Sequence, residues 1–166
     1  MTSRTQLAGF EIRQAGALDV PVILAFIKKL AEYERLSNDV VATEETLRQT
    51  LFGARRTAEV AIGYLDREPV GFVLFFHNFS TFLGRPGIYI EDLFVDEPYR
   101  RRGFGRALLL YVARLAKERQ CGRLEWSVLD WNEPAIKFYK KLGAAPMSEW
   151  TVYRVAGESL NDLASA

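Results

Sequence analysis

Polar and apolar residues alternate from Phe10 to Gln14, the period of a half-buried strand. The period then lengthens. Ile23, Phe26, Ile27 and Leu30 recur at helical spacing behind Asp19, a cap residue, and Pro21, which suits a first turn. Thr43 followed by Glu44 and Glu45 starts a second helix through Leu47 and Leu51, closed by Gly53. Strands are expected near Glu59 to Tyr64 and Val70 to Phe76, with Asp66-Arg-Glu-Pro69 as the turn between them. Another strand runs to Val95, a helix spans Phe104 to about Arg119 with Leu108, Val112 and Leu115 inward, and a strand follows from Leu124 to Leu129. A helix from Pro134 to Leu142 comes next, Trp150 to Val155 reads as a closing strand, and the small, polar tail 157–166 reads as frayed. This order predicts one domain over 1–166, a mixed α/β fold. Its largely antiparallel central sheet has about six to seven strands, with helices on both faces.

The segment Ile88 to Gly105 carries the first chemical signal. Its strand is rich in β-branched and aromatic residues, Pro98 stops it, and Gly103 and Gly105 free the backbone where a helix must begin. The first N–H groups of such a helix lack partners and sit at the positive end of its dipole. With Arg100, Arg101 and Arg102 beside them they form an anion site. A nucleoside-triphosphate loop would need Gly-Lys-Ser/Thr, and here Arg106-Ala107 follows Gly105. A dinucleotide fingerprint needs a third small residue, and Leu108 fills that place. Glu125 falls near the position of the ribose-binding acid, but Glu91 and Asp92 interrupt what should be an apolar buried strand.

The spacing Arg100-x-x-Gly103-x-Gly105 resembles the coenzyme A pyrophosphate loop of the GNAT superfamily of N-acetyltransferases. A second segment strengthens the likeness. Asn132, Ala135, Phe138, Tyr139 and Gly143 stand as in the Asn-x-x-Ala/Ser-x-x-Phe-Tyr-x-x-x-Gly pattern of those enzymes, on a helix capped by Asn132. The stretch Tyr89 to Val95, paired with Trp131 to Pro134, is most similar to the spermidine/spermine (diamine) and thialysine acetyltransferase branch. Leu30-Ala-Glu-Tyr-Glu34 extends the likeness towards the N-terminus.

The resemblance implies the GNAT fold, acetyl-CoA as co-substrate, and direct acetyl transfer to a primary amine of a diamine, polyamine or thialysine-like amino acid. It implies cofactor contacts at Leu93, Phe94, Val95, Arg100, Arg101, Arg102, Gly103, Phe104, Gly105, Arg106, Asn132 and Tyr139. Tyr139 becomes the acid that protonates the departing thiolate, although Ile136, Tyr139 and Leu142 would equally share one packed face. Asn132 suits a cofactor contact and a helix cap alike. Glu91 corresponds to the family's base. Because neighbouring strand residues point to opposite faces, at most one of Glu91 and Asp92 faces the reaction unless a bulge intervenes. Asp92 is the alternative base or a holder of a second cationic group, and Tyr33 and Glu34 fall where family members meet the acceptor. The following Ser37-Asn-Asp-Val40 is less acidic than in the polyamine enzymes, which makes a short amine at least as suitable. Family members commonly pair, so a homodimer is expected. A non-catalytic acyl-CoA-binding module is the alternative on the same scaffold.

Composition narrows the partners. A net charge of +1 sets the arginine run apart as local and argues against nucleic acid. The single cysteine, Cys121, excludes a disulfide framework, and His77 is the one histidine, so no metal set is expected. Met1 to Gln6 has no apolar signal core, and no stretch approaches the ~20 apolar residues of a membrane span, so no membrane partner and a cytoplasmic setting are expected.

Overall fold

The structure is a computed structural model that describes residues 2–4 and 7–166; Met1, Thr5 and Gln6, and with them part of the segment read for a signal core, lie outside the described residues. The chain divides into two compact units, 1–127 and 128–166.

The first unit is built on a six-stranded sheet in chain order. Its strands are β1 (Thr2–Arg4), β2 (Phe10–Gln14), β3 (Glu59–Leu65), β4 (Glu68–Ser80), β5 (Arg85–Val95) and β6 (Leu124–Trp126). Every neighbouring pair is antiparallel except β5 and β6, which run parallel. Helices α1 (Val20–Glu34) and α2 (Glu44–Phe52) cover one face, where Val20, Ile23, Phe26, Leu47 and Leu51 pack with Val60, Ile62, Phe72, Leu74 and Phe94. The Phe26 ring stacks on Phe72 at 5.6 Å. Helix α3 (Phe104–Glu118) covers the other face, with Phe104, Leu108, Leu109, Val112 and Ala116 buried and Phe104 stacked on Phe10 at 4.3 Å. Leu115 is only half-buried.

Local signals explain most boundaries. Thr43 caps α2 by accepting from the Thr46 N–H at 3.2 Å. Asp19 stands at the cap position of α1, yet its carboxylate turns back to accept from the Gly16 N–H at 2.8 Å and the Tyr64 hydroxyl at 3.4 Å. The β3–β4 turn is tighter than the sequence suggested. Only Asp66 and Arg67 form it, with φ of 49° and 76°, while Glu68 and Pro69 already pair in β4. Strand β6 stops at Trp126 rather than Leu129.

In the second unit, α4 (Glu133–Lys141) and α5 (Glu158–Ser165) are helical. Two expectations are corrected there. Trp150 to Val155 forms no strand, and its side chains are exposed; its β-prone composition finds no ladder partner, and propensity alone does not hold a strand. The tail is helix α5 rather than frayed coil, although none of its side chains is buried.

Candidate active site

Strand β5 carries an extra residue. Leu93 lies opposite Val73 and Asp92 opposite Leu74, but the next pair is Ile90 with Phe75, which leaves Glu91 unmatched. The bulge reverses the alternation. Leu74, Phe72 and Phe94 belong to the core beneath α1 and α2, so Asp92 also faces α1, whereas Ile90 and Phe75 face α3. The condition under which both acids serve one side of the sheet is therefore met.

The acids feel one another. Burial, then the charge of Glu91, then that of Glu34 push the Asp92 carboxyl up to about 6. Burial also raises Glu34, the last residue of α1, while Glu91 is exposed. Three carboxylates thus share a neighbourhood that favours a proton or a cation. Among the described residues no His, Cys, Asp or Glu cluster is arranged to hold a metal ion.

Beyond the bulge β5 continues without β6. Its parallel pairing with β6 ends at Ile90 opposite Trp126, so Glu91 to Val95 have no β6 partner. Phe94 is buried in the core, and only its backbone is available to a ligand on that edge. Leu93 and Val95 are half-buried.

The chain then enters the glycine turn. Asp96 accepts from the Glu97 N–H at 3.0 Å and pairs with Lys29 of α1. Gly103 takes φ 87° at the N-cap of α3, and no side chain caps that helix. The N–H groups of Phe104, Gly105 and Arg106 accordingly form an uncapped first turn, which suits phosphate oxygens. A methyl group built on Gly105 would meet nothing closer than Val95 Cγ2 at 3.7 Å, an ordinary contact. The fold itself does not demand glycine at 105. A ligand approaching the backbone there would.

The arginines diverge. Arg100 Nε donates to the Val95 carbonyl at 2.9 Å, and its guanidinium lies 4.4 Å from the Tyr33 ring centroid and 5.4 Å from that of Phe94. Arg102 lies over Phe104 at 5.1 Å, and Arg101 and Arg106 are exposed. Lys29 and Asp96 escaped the sequence reading. The spacing of Lys29 and Tyr33, one turn apart on α1, was the available signal.

In the second unit Asn132 Oδ1 accepts from the Ala135 N–H at 3.3 Å, so the cap role is real. Tyr139 is half-buried with its ring 5.2 Å from Phe138, and burial pushes its phenol up. His77 lines a separate cleft of about 280 Å³ with Gln14, Arg56 and Glu59, apart from the residues above. Cys121 is half-buried.

The chain matches the model of the acetyltransferase (GNAT) family over residues 27–144. It is 37% identical to the L-ornithine N5-acetyltransferase of Arabidopsis thaliana, covering 90% of this chain and 85% of that one. It is 37% identical to the thialysine N-epsilon-acetyltransferase of Bos taurus, covering 92% and 96%. An integron cassette protein from V. cholerae of known structure superposes with a TM-score of 0.80 at 28% identity, over 95% of this chain and 99% of its own.

Proposed function

The chain belongs to the GNAT acetyltransferase family, and from that premise we propose that it transfers an acetyl group from acetyl-CoA to a primary amine of a small molecule. Diamines, polyamines and ω-amino acids of the thialysine and ornithine kind are the acceptor class, in keeping with the relatives' substrates. The observation that carries the reading is β5 itself. Its pairing with β6 ends where the bulge begins, and the strand leads into an uncapped helix start whose residue 105 needs to be glycine only if a ligand lies against it.

Acetyl-CoA, when bound, supplies an acetyl group activated as a thioester. The N–H groups of Phe104, Gly105 and Arg106 would hold its pyrophosphate, assisted by the charge of Arg101 and Arg102. Backbone N–H groups between Leu93 and Val95 would donate to the thioester carbonyl oxygen and so stabilise negative charge there. The acceptor arrives as an ammonium with pKa near ~10.4 for a lysine-like amine and must lose a proton before it can attack. Glu34, Glu91 and Asp92 attract that cation, with Tyr33 beside them. We assign proton uptake to the Glu91–Asp92 pair, with Asp92 as the accepting carboxylate, because burial and the neighbouring acids raise its pKa to about 6, towards working pH. Glu91, the base by family likeness, then acts by keeping that pKa high. Tyr139 remains protonated at neutral pH, as a proton donor to the departing sulfur must, and Asn132 adds a cofactor contact to its capping role. The family match runs through both units, which supports one catalytic domain. A homodimer and a cytoplasmic setting complete the reading. Among the described residues no helix is long and apolar enough to cross a membrane.

The test follows free thiol release from acetyl-CoA across a panel of diamines, amino acids with side-chain amines, and aminoglycosides. Release with short diamines or ω-amino acids supports the assignment. Coenzyme A binding without release for any amine would instead favour a non-catalytic acyl-CoA module.

A further inference from the structure

We infer that Arg100 is a positioning residue for the acceptor amine and not a ligand of the cofactor phosphates. As the first arginine of the glycine turn it stands where a phosphate contact is expected, yet its Nε and the face of its guanidinium are engaged by the protein. Nε donates to the Val95 carbonyl at 2.9 Å, and the group lies over the rings of Tyr33 and Phe94 at 4.4 and 5.4 Å. One turn earlier on α1, Lys29 pairs with Asp96, in the same connection between β5 and α3. Lys29 and Tyr33 lie four residues apart and therefore on one stripe of the helix. Two anchors a turn apart fix both the rotation and the slide of the C-terminal end of α1 against the turn that cradles the pyrophosphate.

What these anchors position is the next residue. Glu34 ends α1, Arg35 turns the chain away with φ 64°, and the Glu34 charge is felt at Asp92. The acidic end of α1 is thus registered against the strand that bears the other two acids by contacts that originate in the cofactor loop. Loss of the Arg100 strut would let α1 shift and would loosen the acceptor's carboxylates, while the backbone cradle at Gly103 to Arg106 would keep its shape.

This inference rests on the proposed role of Glu34 and Asp92 in holding the amine. Coenzyme A is titrated by calorimetry into the wild type, Arg100→Met, Tyr33→Leu and the double variant, and the acceptor KM is measured with the best amine of the panel. The expected result is a coenzyme A Kd within about twofold of wild type, with the acceptor KM raised about three- to thirtyfold, the range of a cation–π contact. The double variant should be no worse than the worse single one, because both remove the same strut. A larger loss of coenzyme A affinity in Arg100→Met, or an unchanged acceptor KM, overturns the inference. If Arg100→Met does not fold, Tyr33→Leu and Lys29→Met carry the test with the same two readouts. A wild type that turns over no amine removes the enzymatic reading and this inference with it. A wild type that turns over while Arg100→Met loses only cofactor binding removes this inference alone.

Discussion

Asp92 stands across the ladder from Leu74, one residue out of step with the Ile90–Phe75 pair, and this displacement turns its carboxyl towards α1 and Glu34. The strand is mispaired by one residue where the chemistry is proposed to occur. A regular strand would have sent Asp92 to the face of α3.

The pH dependence of turnover should follow from this crowding. With Asp92 as the accepting carboxylate, kcat/KM rises with pH through an apparent pKa of about 6. Glu91→Gln removes one of the charges that hold that value up, so its limb should move to lower pH. Asp92→Asn should abolish the limb and cut turnover by about 10²–10⁴-fold. A wild-type limb that stays in place in Asp92→Asn and disappears in Glu91→Gln would assign proton uptake to Glu91.

The same group sets a stability signature. The folded-state pKa of Asp92 lies above its value of 3.8 in the open chain, so the folded protein favours the protonated acid. Stability from this group falls as pH rises between 3.8 and about 6, and the full cost, about 2–3 kcal/mol, persists above. In the absence of ligand Asp92→Asn should raise the melting temperature at pH 8 and leave it nearly unchanged at pH 3.5. Denaturation of both proteins at the two pH values reads this directly.

Glu59 and Arg119 should show the opposite trend. Arg119 holds the Glu59 carboxyl below its ordinary range through paired hydrogen bonds, one of 2.9 Å, and so ties the end of α3 to the start of β3. A lowered acid contributes stability above its open-chain pKa and loses it as pH falls through the folded value. Arg119→Ala should cost about 1–2 kcal/mol at pH 7 in urea titrations and less at pH 3, the half-exposed setting limiting the effect. Equal loss at both pH values would mean that packing, not charge, is what Arg119 supplies.

The two glycines of the turn should separate fold from ligand. Gly103 has φ 87°, so Gly103→Ala should destabilise the protein by about 1–2 kcal/mol. Gly105→Ala places a methyl in ordinary contact with Val95, so its melting temperature should stay near wild type while coenzyme A affinity falls. Coenzyme A titration paired with thermal unfolding checks both.

Tyr139→Phe should keep coenzyme A affinity and slow turnover, since only the phenolic hydroxyl, the proton donor, is removed. Unchanged turnover at saturating substrate would withdraw the donor role.

Much of this protein is legible in its sequence, because local forces decide it. Alternation placed β2, β-branched and aromatic residues ahead of Pro98 placed the end of β5, period and caps placed α2 and α4, and the spacing of Gly103, Gly105 and Asn132 announced the family before any fold was seen. What escaped depends on a second strand or helix. The bulge at Glu91 exists only relative to β4, and nothing within β5 marks it. Lys29 meets Asp96 and Arg100 meets Tyr33 across 67 residues of chain in each case, contacts that no periodicity encodes. Trp150 to Val155 shows the converse: a β-prone pattern stays coil when no neighbouring strand accepts its hydrogen bonds. Sequence alone marked the starts of α2, α3, α4 and the phosphate turn, because dihedral preference and capping act within a few residues. Tertiary pairing decided which face Asp92 presents and what Arg100 holds, because register and contact require the partner to be in place.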